Sequence, residues 1–158
     1  MKKYEMLPTE ENIIETLYND TINRNKDIVY FYNILQAQES ASAIAIDGRW
    51  GSGKTFFVKQ TQMVINALNP SSTIDEETKA KATVRLSFPK NDEENENYSI
   101  AVYYDAWEND NDTEPVLSLI YEITKQLSTD FSLSDISIVK TAGAIIEAIS
   151  GHNVNGIK

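Results

Sequence analysis

The chain contains no cysteine and a single histidine, His152. The first absence removes disulfide frameworks and thiolate metal sites, and the second removes any multi-histidine metal centre. Arginine is scarce as well, with only Arg24, Arg49 and Arg85 in the whole sequence. A small kinase that closes a lid of clustered arginines over its substrate is therefore the least favoured class. No apolar run reaches 18 residues, and the basic start Met1-Lys2-Lys3-Tyr4-Glu5 leads into no apolar segment, so neither a membrane span nor a secretory leader is expected. Basic residues number 14 against 24 acidic ones, for a formal net charge of −10. That field repels phosphate backbones at long range and argues against direct nucleic-acid binding. Asp92, Glu93, Glu94, Glu96, Asp105, Glu108, Asp110, Asp112 and Glu114 follow one another without an intervening Lys or Arg. The first four of these suit a solvated loop.

What is present begins at residues 48–55, Gly-Arg-Trp-Gly-Ser-Gly-Lys-Thr, a complete GxxxxGK[ST] (Walker A) pattern. Glycines permit the left-handed turns that aim successive N–H groups inward as a concave nest for phosphate. Lys54 would reach the terminal phosphates of a nucleotide and is the one catalytic candidate. The amides of residues 50–55 would bind the α- and β-phosphates, and Thr55 would offer its hydroxyl to Mg²⁺ beside the positive end of the following helix. The expected nucleotide-binding set is therefore Gly48, Arg49, Trp50, Gly51, Ser52, Gly53, Lys54, Thr55 and Phe56, with ATP and Mg²⁺ as cofactors. Such a loop also favours a cytoplasmic location.

The flanking sequence has the order this chemistry needs. Ser42-Ala43-Ile44-Ala45-Ile46-Asp47 is short, apolar and β-branched, as a strand buried on both faces should be. Phe56, Phe57, Val58, Met63, Val64, Ile65 and Leu68 supply a buried face for the helix that follows. Asp47 is read as a strand end that bonds the loop's own backbone.

At 158 residues and 41% hydrophobic content the chain has room for one domain with a core. The expected fold is α/β, a P-loop NTPase-like parallel sheet core with flanking helices and an inserted acidic β-hairpin, incomplete as a domain. Residues 1–40 read as a helical lead-in, with Thr9 capping a short helix, Asp20 as a second N-cap, and Ile22, Ile28, Val29, Phe31, Tyr32, Ile34 and Leu35 making an apolar face. Residues 41–69 carry strand, loop and helix. Residues 82–107 read as the hairpin, with Ala82-Thr83-Val84-Arg85-Leu86-Ser87-Phe88 and Ser99-Ile100-Ala101-Val102-Tyr103-Tyr104-Asp105 as its arms. Residues 113–150 read as helices, the first opened by Pro115 with Val116, Leu117, Ile120, Ile123 and Leu127 on one face, the second capped by Ser134-Asp135 and stopped at Gly151.

The loop with Trp50 at its centre, followed by Tyr104-Asp105-Ala106-Trp107-Glu108 and then Asp112-Thr113-Glu114-Pro115, resembles the N-terminal part of the KAP family of P-loop NTPases. Asp20-Thr21-Ile22-Asn23-Arg24 is similar to the short Asp/Arg element that precedes the first strand in that family. The resemblance covers roughly residues 18–128. It implies an ATPase acting as a switch or in assembly, in bacteria often in phage exclusion or other defence, and membrane association through segments not in this sequence.

The sequence departs from the pattern in one respect. The ASCE-type ATPases that KAP proteins resemble carry a later apolar strand ending in paired acids (Walker B), and no such run follows residue 115. The expectation is the first half of a larger ATPase domain, with hydrolysis completed by residues beyond it. Asp105, Glu108 and Asp110 are weak substitutes, placed where one could reach the Mg²⁺ water shell at a strand end or could cap the next helix. Trp50 and Trp107 could pack together, pack on the core or stack on adenine, and Arg24 and Arg49 could meet phosphate or form surface ion pairs. The alternative function is a nucleotide-binding regulatory or interaction module that does not hydrolyse. An incomplete sheet and exposed helix faces also predict self-association or a protein partner.

Overall fold

Thr9 starts the first helix: its extended backbone and a hydroxyl that accepts from Asn12 N cap α1 (Glu10–Asn19), whose first turn carries Glu10 and Glu11 against the helix dipole. The helix stops because Asp20 adopts a left-handed conformation at φ 50°. Asp20 was expected to be an N-cap, and it performs part of that role from an unexpected position. Its Oδ1 accepts from Arg24 N at 3.0 Å and Asn25 N at 3.1 Å, so the residue that ends α1 also satisfies the start of α2 (Asn25–Gln36). Helix α3 (Lys54–Leu68) begins directly at the motif lysine, and α4 (Glu76–Thr83) follows under an Asp75 cap. Helix α5 (Pro115–Asp130) opens on proline as expected, since an N1 residue needs no amide hydrogen. The computed structural model describes residues 6–88, 98–109 and 115–131, with Lys140, Gly143 and Ala144.

These elements fall into two compact units, one formed by Met1–Pro70 and Ile74–Ala101, the other by Ser71–Thr73 and Val102–Lys158. In the first, α3 packs against α1, α2 and α4, and α1 also packs against α4. Their shared core holds Ile13, Leu17, Ile28, Val64, Ala82 and Leu86, with Phe56, Phe57, Met63 and Phe88 among the side chains packed around it. Phe31 meets Phe57 with ring centroids 5.5 Å apart, and Phe88 stands edge-on to Tyr32 at 5.0 Å. Gln60 is fully buried in this core because its side-chain amide donates to Thr16 Oγ1 at 2.9 Å, and the Thr16 hydroxyl in turn donates to Asn12 O at 2.7 Å.

Three strand expectations are not met among the described residues. No strand is formed there, and the one β-bridge is the isolated antiparallel pair Ser72 and Phe131. Residues 42–47 form no regular element and are exposed rather than buried on both faces. The first arm of the expected hairpin begins inside a helix, since Ala82 and Thr83 close α4. The helix wins there because Asp75 caps it, alanines fill it, and Glu76 with Lys79 and Glu77 with Lys81 pair at helical spacing. Arg85 stands over the Tyr18 ring instead of pointing from a sheet.

The second arm, 98–105, is extended, yet its backbone finds side-chain carboxamides rather than a neighbouring strand. In the first unit Asn66 of α3 accepts from Ala101 N at 2.9 Å and donates to Ala101 O at 3.0 Å, and Asn69 donates to Ser99 O at 3.0 Å. In the second unit Gln126 of α5 does the same for Tyr103, accepting from its N–H at 3.0 Å and donating to its carbonyl at 2.7 Å. Thr73 N and Oγ1 bond the carbonyls of Asp130 and Thr129, tying 71–73 to the end of α5. Ile123 and Leu127 are buried as expected, whereas Val116 and Leu117 are exposed. The hairpin tip lies outside the described residues, as does the helix expected from Ser134-Asp135 to Gly151 apart from Lys140, Gly143 and Ala144, which are helical.

Leu17 is enclosed by this first core, at 1% exposure. Leu17→Ala is expected to destabilise the protein by about 2–5 kcal/mol, because the rigid helical surroundings collapse only partly into the space left. Urea unfolding followed by helical circular dichroism measures this, and an unchanged midpoint would refute the packing described.

Candidate functional site

The loop of residues 48–55 is held by its own backbone and by two cations. Gly51 and Gly53 sit at φ 75° and 83°, the left-handed region where a side chain would clash with its own carbonyl. Ser52 N donates to Arg49 O at 3.1 Å, closing the turn. Asp47 accepts from Gly48 N at 2.7 Å, so this carboxylate bonds the loop backbone, as its position before the motif suggested. At Gly48 an added Cβ would come within 2.9 Å of Ser52 Oγ, so the Ser52 hydroxyl would have to turn aside for a larger residue.

Lys54 curls back over the loop, its Nζ donating to Gly48 O at 2.6 Å and Arg49 O at 3.2 Å. Arg24 reaches in from the start of α2 and donates through Nη2 to Ser52 O at 3.0 Å. Residue for residue, the structure thus gathers Gly48, Arg49, Ser52 and Lys54 by hydrogen bonds, sets Gly53 as the N-cap of α3, and leaves Thr55 on its exposed first turn. Phe56 turns partly into the core. Trp50 stands out of the loop at 95% exposure and Trp107 is 83% exposed, so neither joins a core.

A cavity of about 700 Å³ opens on this loop, bounded by residues 50–56 together with Arg24, Met6, Pro8 and Ile22. That size lies within the range of small-molecule sites, about 300–1,000 Å³. Its electrostatics run against those of the chain: the lining includes Arg24 and Lys54 and no carboxylate, although the net charge is −10. The start of α3 has neither a side-chain cap nor an acid in its first turn, so its amides stay available to an anion. Two cations, an uncapped helix terminus and the Thr55 hydroxyl together fit a polyphosphate with Mg²⁺. Arg24 was read from the sequence with its role open. Met6 and Pro8 were missed there and Ile22 was read only as part of a helix face, since the tertiary structure, and not spacing in the sequence, brings them to the loop.

Of the acidic candidates after residue 103, Asp105 is engaged locally within the second unit. Asp105 Oδ1 accepts from Trp107 N at 3.0 Å and Oδ2 from the Tyr103 hydroxyl at 3.0 Å, so this carboxylate caps the turn that follows it. Glu108 is exposed, and Asp110 lies outside the described residues. Among the described residues no three acids or histidines gather as a metal site. No described helix is long and apolar enough to cross a membrane.

A glycine loop running directly into a helix, with a basic cavity at the junction, is the signature of the phosphate-loop class of proteins. The KAP family P-loop domain matches residues 12–155, and the chain belongs to that family. No curated protein and no solved structure matches the chain.

Tyr103 gives the second unit a titratable marker. Burial pushes its phenol up to about 12, helped by the hydrogen bond to Asp105 and the negative charges of Asp105 and Glu108. Because the folded value lies above the ordinary one near 10, the stabilising contribution is complete below about pH 10 and is lost as pH rises towards about 12. Comparing alkaline absorbance titrations of the wild type and Tyr103→Phe should show the variant missing one late-ionising tyrosine. Loss of a tyrosine that ionises near 10 would contradict this.

Proposed function

We propose that the chain binds ATP as its Mg²⁺ complex through the Walker A loop at residues 48–55, as part of a KAP-type NTPase. The observation that carries this reading is the basic cavity at the uncapped start of α3 in a strongly acidic chain. Lys54 leaves the carbonyls of Gly48 and Arg49 to neutralise the β- and γ-phosphates. Amides from residues 50–55 take the α- and β-phosphates, Thr55 contributes one Mg²⁺ ligand, and Gly48, Arg49 and Phe56 shape the loop. Arg24 is positioned to add a second positive charge.

Membership of the family supports nucleotide binding in general terms. The rest is proposed: the ATPase activity, the parallel sheet in which 41–47 would be the strand before the loop, the single partial domain over 1–158, the cytoplasmic location, and a role in phage exclusion or defence. A second reading is a nucleotide-binding module that does not hydrolyse. Self-association is proposed as the partner interaction, supported by Val116, Leu117 and Tyr121 exposed along α5.

The test is calorimetric. ATP should bind in the presence of Mg²⁺, and Lys54→Ala should weaken it tenfold or more, about 1.4 kcal/mol or above. Equal affinity in the two proteins would remove Lys54 from the site. Phosphate release under the same conditions separates the two readings, since the non-hydrolysing module binds without turnover.

A further inference from the structure

The phosphate reading leaves three residues of the cavity lining without a role. These are apolar: Met6 and Pro8 ahead of α1, and Ile22 in the turn between α1 and α2. Met6 is 49% and Ile22 37% exposed, while Ile13, Leu17 and Ile28 nearby are buried, so the core does not consume these two side chains. The turn that presents Ile22 is fixed rather than loose. Asp20 and Asn23 both adopt positive φ, Asn23 N donates to Asp20 O at 2.9 Å, and the Asp20 carboxylate holds the amides of Arg24 and Asn25. Arg24, two residues after Ile22, is bonded to Ser52 O, which ties the same turn to the phosphate loop.

We propose that Met6, Pro8 and Ile22 form the seat of the nucleobase, an inference that rests on the reading of residues 48–55 as the triphosphate site. A nucleoside triphosphate has a polyanionic end and a flat heterocyclic end with a weakly hydrated face. The cavity lining holds both kinds of partner, the cations Lys54 and Arg24 and the apolar side chains of Met6, Pro8 and Ile22. None of the three wall side chains carries a strong hydrogen-bond donor or acceptor, the Met6 thioether being at most a weak acceptor. Such a wall holds a base by contact area and does not read its edge, because strong discrimination requires polar groups that a wrong ligand leaves unpaired. The site therefore takes purine nucleoside triphosphates as a class, ATP and GTP alike, and pyrimidine ones more weakly in proportion to ring area.

The experiment compares ATP, GTP, CTP and inorganic tripolyphosphate by calorimetry with Mg²⁺, on the wild type and on a Met6→Ser, Ile22→Ser double variant. Both positions are exposed, and tripolyphosphate binding by the variant reports that its loop is intact. The wild type should bind ATP and GTP within about threefold of each other and both more tightly than tripolyphosphate, and the variant should lose about tenfold in ATP affinity with tripolyphosphate unchanged. An ATP preference over tripolyphosphate that survives in the variant, or a wild-type preference for ATP over GTP beyond about tenfold, would overturn the inference alone. Failure of the wild type to bind either ATP or tripolyphosphate would overturn the phosphate reading and this inference with it.

Discussion

The first amides of an α-helix have no partner within the helix, and something must satisfy them. Thr9 does so for α1, Asp20 for α2 and Asp75 for α4, each with a side-chain oxygen. At α3 no side chain does, because Gly53 stands in the capping position and no acid occupies the first turn. The rest of the same helix is the most heavily packed in the first unit, with Gln60, Val64, Ile65 and Ala67 buried. Packing along the body therefore holds an N-terminus whose own hydrogen bonds are incomplete. Around that terminus are gathered the positive φ angles, the two cations and the cavity.

How much of this was legible in the sequence differs by element. The loop and the starts of α3 and α5 could be read because each depends on residues in the motif or on one proline. Thr9 could be read as a cap for the same local reason. The segment 98–105 could not, since alternation in a β-rich run reports extended backbone and not what pairs with it. Asn66, Asn69 and Gln126 sit far away in sequence and supply the donors and acceptors that an adjacent strand would have supplied. Likewise the run 82–88 has strand-like composition, but the capped, charge-paired turn beginning at Asp75 extends into it. The site divides in the same way: its glycines and lysine are contiguous, whereas Ile22 and Arg24 arrive through the turn that Asp20 fixes, and Met6 and Pro8 come from ahead of α1.

Asp20 thus links successive parts of the first unit by hydrogen bonds. Its left-handed backbone ends one helix, its carboxylate starts the next, and the residue it positions, Arg24, bonds the carbonyl of Ser52 in the loop. In the second unit Asp105 has a similar double use, accepting from the backbone of the turn after it and from the Tyr103 phenol. Both act by fixing backbone, in keeping with the preference of aspartate for local hydrogen bonds over helix interiors.

Lys54 bonds two carbonyl oxygens of the very loop it belongs to. An incoming anion therefore competes with an internal ligand, and what is measured as affinity is a difference between two sets of bonds. The ammonium charge is spent within the loop, so a ligand at Lys54 is bound by exchange and not by simple addition.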